Sequence, residues 1–244
     1  MDDLTRYKQH LAEICEARFS DIPQDIKNRF LSYINNSVTH NNRINVKEML
    51  EGVSLTESSI LNFDKDLIDI ISRSVSIDKM LDEVNSMPNN WLIKQARQKN
   101  ISYQKDTESI ILVEAVPLIL GKGSERLFNS PVYKRTKEYN LYPAITSWLD
   151  SFAAEHHYKI ARVAIVKLKV GGTVGEHMDY GDYHKTRDRY HLCLDGEYLY
   201  SVLDRSEIIT KGTLFKFNNK CVHSAVNTGT VPRICVIFDT EKLS

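Results

Sequence analysis

Leu4, Tyr7, Leu11, Ile14 and Cys15 open the chain with apolar residues three and four positions apart, the spacing that gathers side chains on one helical face. The spacing returns at Ile77, Met80, Leu81 and Val84 behind Ser76 as an N-cap, and the stretches "PQDIKNRFLSYI" and "DKDLIDIISRSV" predict two more helices beginning at Pro23 and Asp64. Such stripes are packing faces. Past Trp91 the pattern changes: "YQKDTESIILVEAV" (103–116) has the β-branched run of a strand, and "GKGSERLFNSPVY" the turn residues of a loop. Pro143 then suits the first turn of a helix carrying Ile145, Trp148, Leu149 and Phe152. From Tyr158 onward the apolar positions fall in short runs, "KIARVAIVKLKV", "RYHLCL", "YLYSVL", "TLFKFN" and "RICVIFD", divided by Gly, Asp and Asn. Short strands at close intervals predict a sandwich or double-sheet jelly roll. The expected architecture is α+β, with a helical N-terminal region over residues 1–88 packed on a β domain over 89–244.

Composition narrows the function. Hydrophobic residues at 42% and charged residues at 26% match a globular chain, and no apolar run nears the roughly 20 residues of a membrane span. The N-terminus lacks the basic start and apolar core of a secretory signal, so a soluble, cytoplasmic protein without membrane partners is expected. Lys+Arg and Asp+Glu both number 32, which leaves no general attraction for a phosphate backbone and argues against nucleic acid as a partner. Cys15, Cys193, Cys221 and Cys235 have no C-x-x-C spacing and are expected as reduced, mostly buried thiols. Oligomeric state is not legible.

The chemistry concentrates in "GEHMDYGDYHKTRDRYHL", where eighteen residues hold three histidines. His177 and Asp179 are two apart, and on an extended backbone such side chains point the same way. His223, just past "GTLFKFN", is the best third ligand from another part of the chain. Two histidines and a carboxylate with open positions point to a non-haem Fe(II) oxygenase; a zinc hydrolase with a bound water would use the same donors, and a non-catalytic sensor is a third class. Arg233 enters "RICVIFD" on the face shared with Cys235 and Ile237. Flanked by apolar residues on both faces, it either escapes to solvent after Pro232 or meets a buried anion. Arg189, His191 and Cys193 share one face of "RYHLCL", which suggests a polar pocket there, with a hydrogen-bonded core histidine as the alternative for His191. Lys185, Arg187 and Arg189 are candidates for recognising a carboxylate on a small substrate; a solvated charged loop is the alternative for Lys185 and Arg187.

The stretches "GGTVGEHMD", "RYHLCL", "GTLFKFNNKCVHSAVNTG" and "PRICVIFD", in this order, resemble the aspartyl/asparaginyl β-hydroxylase family of Fe(II)/2-oxoglutarate dioxygenases. Asp179 makes the chain look more like the bacterial H-x-D members, which hydroxylate free amino acids, than like the animal enzyme that lacks this carboxylate. The resemblance implies a double-stranded β-helix core, with His177, Asp179 and His223 as Fe(II) ligands. It also implies Arg233 on the distal carboxylate of 2-oxoglutarate, His191 near the cosubstrate's metal-bound end, and Arg189 on a carboxylate of the substrate. The implied reaction consumes O2 and 2-oxoglutarate, releases succinate and CO2, and hydroxylates an unactivated C–H of an amino acid, an amino-acid derivative or a peptide.

Overall fold

The computed structural model describes residues 4–6, 8, 9, 12, 13, 67–92, 106–115, 118, 119, 126, 127, 132–177, 179, 182–185, 187–219 and 221–243. Within them the strand runs build two facing antiparallel sheets, numbered here in chain order. The larger sheet places β1 (Ile68–Ser72), β11 (Leu214–Phe217), β8 (Asp188–Asp195), β13 (Arg233–Lys242), β6 (Tyr158–Leu168), β2 (Thr107–Ala115) and β5 (Tyr133–Arg135) side by side. The smaller has the order β10 (Arg205–Ile209), β9 (Tyr198–Val202), β12 (His223–Val226), β7 (Thr173–His177). A separate pair joins β3 (Leu118–Ile119) to β4 (Arg126–Leu127). From β6 onward the chain passes back and forth between the two main sheets, apart from the β9–β10 hairpin within the smaller one, which is the winding of a jelly roll or double-stranded β-helix.

The two faces of the larger sheet have different work. Val163, Ile165, Tyr190, Leu192, Leu194, Val236 and Phe238 pack with Met80, Val84, Ile145, Leu149 and Phe152 from α1 (Asp78–Ser86) and α2 (Pro143–His156). Alternate positions on the same strands, among them Arg162, Ala164, Arg189, His191, Arg233, Ile237 and Asp239, face the smaller sheet across a cavity. Period-2 alternation thus separates a dry helix-facing core from a mixed, functional interior. Pro143 begins α2 as expected, and its first turn is capped by a carboxylate from α1: the backbone N–H groups of Ala144 and Ile145 donate to Glu83 Oε1 and Oε2 at 2.6 and 3.3 Å.

Two expectations are corrected. The helix predicted from Asp64 gives way to strand β1, in which Ile68 is buried and Ile71 exposed and Ile68 pairs with Phe217. An Ile-rich run this short satisfies both periodicities, and the free edge of β11 decides. Helix α1 starts at Asp78, with Ile77 and not Ser76 at the cap position, because the Leu81 N–H closes the first turn on the Ile77 carbonyl at 2.9 Å. Both elements lie before residue 88, with β1 at the edge of the larger sheet and α1 in the layer packed on it. Of the first helix, residues 4–6, 8, 9, 12 and 13 are helical, while Tyr7, Leu11, Ile14, Cys15 and the segment from Pro23 lie outside the described residues. No helix among the described residues is long and apolar enough to cross a membrane.

Candidate metal centre

Strand register brings the first two candidate ligands together. His177 is the last residue of β7, His223 the first of β12, and the two are direct partners across the antiparallel ladder, with ring centroids 4.2 Å apart. Each ring is oriented the same way: Nδ1 lies 2.8 Å from the Gly175 carbonyl in His177 and 2.9 Å from the Cys221 carbonyl in His223. A carbonyl only accepts, so Nδ1 carries the proton in both and Nε2 keeps its lone pair for a ligand. Asp179 lies two residues past the end of β7 and is held by its N–H donating to the Asn219 carbonyl at 3.0 Å. One donor atom from each of the three side chains lies within 4.8 Å of the others.

Their charge states suit a cation. Burial pushes His223 down to about 3, with the neighbouring His177 ring adding to the effect. Burial likewise lowers His177, so both rings are neutral near pH 7, as metal ligation requires. Burial alone would raise the Asp179 carboxyl, but the Arg189 guanidinium and the imidazoles outweigh it and hold it well below the usual range. Two neutral imidazoles and one ionised carboxylate, converging from one side, form a donor set for a divalent transition metal with open positions on the far side.

That far side is a cavity of about 590 Å³ between the sheets, whose lining includes all three ligands together with His191, Arg189 and Arg233. Arg233 is 1% exposed, its Nε has no hydrogen-bond partner, and its guanidinium lies over the Tyr198 ring at 4.8 Å. No carboxylate among the described residues pairs with it. His191 is 4% exposed, packed edge-on against Tyr200, Phe215 and Phe217, and its Nδ1 is also without a partner. Burial and the Arg233 charge hold His191 well below its ordinary value, so it is neutral. A buried cation and a buried imidazole nitrogen, both unpaired, leave this end of the cavity with polar capacity for an anion.

The cationic loop residues divide. Arg189 lines the cavity, but its guanidinium is already engaged: Nε and Nη2 donate to Asp239 Oδ1 and Oδ2 at 2.7 and 3.0 Å, and Nη1 donates to Asp179 Oδ2 at 2.5 Å. Arg187 is not brought to the cavity at all. It is buried, with Nε donating to Tyr133 Oη at 2.7 Å, Nη1 to the Tyr183 carbonyl at 3.0 Å and Nη2 to Glu241 Oε2 at 3.3 Å. The substrate contact expected of Arg187 is therefore replaced by a structural clamp, and the side chain of Lys185 lies outside the described residues. Cys193, Cys221 and Cys235 are buried and not joined in a disulfide, as expected, while Cys15 lies outside the described residues.

Two cavity residues were not singled out from sequence. His184, on the short helix α3 (Asp182–Lys185), is buried against the cavity near Asp179, with Nδ1 3.5 Å from Asn219 Nδ2; burial lowers it to about 4. Asp239, 1% exposed, pairs with Arg189 across β8 and β13. Counting the Arg233, Cys235, Ile237 face of β13 two residues further reaches Asp239, so the signal was present.

Against known proteins, the sequence profile described as "Aspartyl/Asparaginyl beta-hydroxylase" matches residues 79–242, about two thirds of the chain. No curated protein matches the chain. Among solved structures, a predicted oxalate decarboxylase from Thermotoga maritima is similar at 23% identity and a TM-score of 0.30, covering 36% of this chain and 71% of that one. The Schizosaccharomyces pombe Cnp3 cupin domain is similar at 13% identity and a TM-score of 0.30, covering 35% of this chain and 66% of that one. At these scores neither likeness bears on the chemistry, and the jelly roll stands on the strand order itself.

Proposed function

We propose, on the premise that this chain belongs to the aspartyl/asparaginyl β-hydroxylase family, that it is an Fe(II)- and 2-oxoglutarate-dependent dioxygenase. In this reading it hydroxylates an unactivated C–H of an amino acid, an amino-acid derivative or a peptide. One oxygen atom of O2 enters the product and the other enters succinate, which leaves with CO2. The observation that carries the reading is Arg233: a guanidinium buried to 1% exposure, without a carboxylate partner, on the same cavity as two histidines and an aspartate that suit a metal.

Fe(II) held by His177, Asp179 and His223 supplies the activation of O2. The protein's own groups do the rest. The two Nε2 lone pairs and the Asp179 carboxylate would hold the ion at the wall of the cavity. Arg233 takes the distal carboxylate of 2-oxoglutarate, relieving a charge that is costly to leave unpaired. His191, with its unpartnered Nδ1, would offer a polar contact to the cosubstrate's metal-bound end. The charges of a divalent metal, Asp179, the 2-oxoglutarate dianion and Arg233 cancel, so the substrate meets a neutral centre. Ala164, Val166, Ile237, Tyr200 and Phe217 give the cavity apolar walls that exclude water from the reacting carbon. A carboxylate-bearing small molecule finds a cation in Arg162, which lines the cavity.

A panel of amino acids and short peptides, incubated with Fe(II), 2-oxoglutarate and O2, tests this directly. Succinate release that depends on one panel member, with a product heavier by one oxygen, is the expected result. Substrate turnover without 2-oxoglutarate would contradict the reading and favour a hydrolase. Tight metal binding with no succinate from any substrate would favour a sensor.

A further inference from the structure

We propose that Asp239 is a positioning residue which, through Arg189, sets the oxygen that Asp179 presents to the metal. The inference rests on the metal centre described above and assigns Arg189 a task other than gripping substrate.

The geometry begins with a planar fork. Arg189 uses one edge, Nε and Nη2, in a bidentate pair with both oxygens of Asp239, and the remaining Nη1 reaches Asp179 Oδ2. Because the guanidinium is rigid, its plane is fixed by the two-point contact with Asp239, and the single contact to Asp179 follows from it. Oδ2 of Asp179 is thereby occupied and Oδ1 is the oxygen left for an ion. Asp239 is itself fixed. It stands directly across the ladder from Arg189, its side chain is 2% exposed, and Tyr183 Oη donates to its Oδ2 at 3.0 Å. The Tyr183 ring is in turn held between the guanidinium groups of Arg162 and Arg187 at 4.0 and 4.5 Å.

Charge gives the arrangement its purpose. An isolated Arg189–Asp179 pair would close into a two-point fork, engaging both oxygens and cancelling the ligand's charge. A second carboxylate on the other edge of Arg189 prevents that closure and leaves the trio with a net negative charge facing the cation site. Second ligating shells of this kind change metal affinity by about 10- to 100-fold when disturbed.

The test uses Co(II) as probe, titrated into the metal-stripped full chain with the visible ligand-field absorption as readout. Asp239→Asn keeps shape but replaces an acceptor oxygen with an amide donor facing Arg189. Its Co(II) affinity is expected to fall by about 10- to 100-fold, with a changed band shape as Asp179 alters its denticity. Should that variant fail to fold, Arg189→Lys keeps the charge but cannot span both carboxylates, and the same loss and spectral change are expected. A purely structural role would lower thermal stability and leave the Co(II) spectrum and affinity at wild-type values, which overturns the proposal. Wild-type protein that takes up no Co(II) would remove the metal centre itself, and this inference with it.

Discussion

Arg233 carries a full charge into the interior with only the Tyr198 ring beneath it. A charge buried without a carboxylate partner destabilises the fold. Replacing it by an apolar side chain of similar length is therefore expected to stabilise the metal-free protein while removing cosubstrate binding. For Arg233→Met, denaturant unfolding should show a gain of about 1–4 kcal/mol. Affinity for 2-oxoglutarate should fall by a factor corresponding to about 2–5 kcal/mol, on the order of thirtyfold or more. At this scale much of the site was legible in the chain: spacing of two pairs His177 with Asp179, and face-counting along strands turns Arg233 and His191 toward one pocket. Arg189 was legible as a cavity residue but not in its engagement, because its partner Asp239 lies fifty residues away and meets it only through the β8–β13 register. Sequence periodicity states which face a side chain takes, not what stands opposite.

Two elements position the site from a distance. Glu83 on α1 caps the first turn of α2, so Glu83→Ala leaves two N–H groups without their acceptor. The expected loss is about 1 kcal/mol, read as a drop of about 2–4 °C in the thermal midpoint without change in metal affinity. Gly196, in the turn between β8 and β9, has φ +82°, and a Cβ there would come within 2.9 Å of the Arg233 Cα. Gly196→Ala is expected to push the start of β13 outward and to weaken 2-oxoglutarate binding more than metal binding, a contrast that parallel titrations would show. The long apolar strands were readable because β-branched runs need little context. Strands β7, β10 and β12 were not. They are short and rich in Gly, Ser or charge, and ladder pairing defines them: His223 is a strand residue because it pairs with both His177 and Val202.

For the whole molecule, two sheets separate an apolar layer under the helices from a charged cavity, and a ligand of that cavity would bind only the folded state. Loading should therefore stabilise the protein: a ligand at a hundredfold its dissociation constant contributes about 2.7 kcal/mol, and a chelator should return the thermal midpoint to the metal-free value. The jelly roll was legible from strand number and spacing, whereas the incorporation of β1 was not, since its pairing with β11 joins segments far apart in the chain. The most direct measurement of the central claim is anaerobic calorimetry of 2-oxoglutarate added to the Fe(II)-loaded chain. One-to-one binding is expected that requires the metal, disappears in His223→Ala and is severely weakened in Arg233→Met. Equal binding to metal-free protein, or undiminished binding to Arg233→Met, would contradict it.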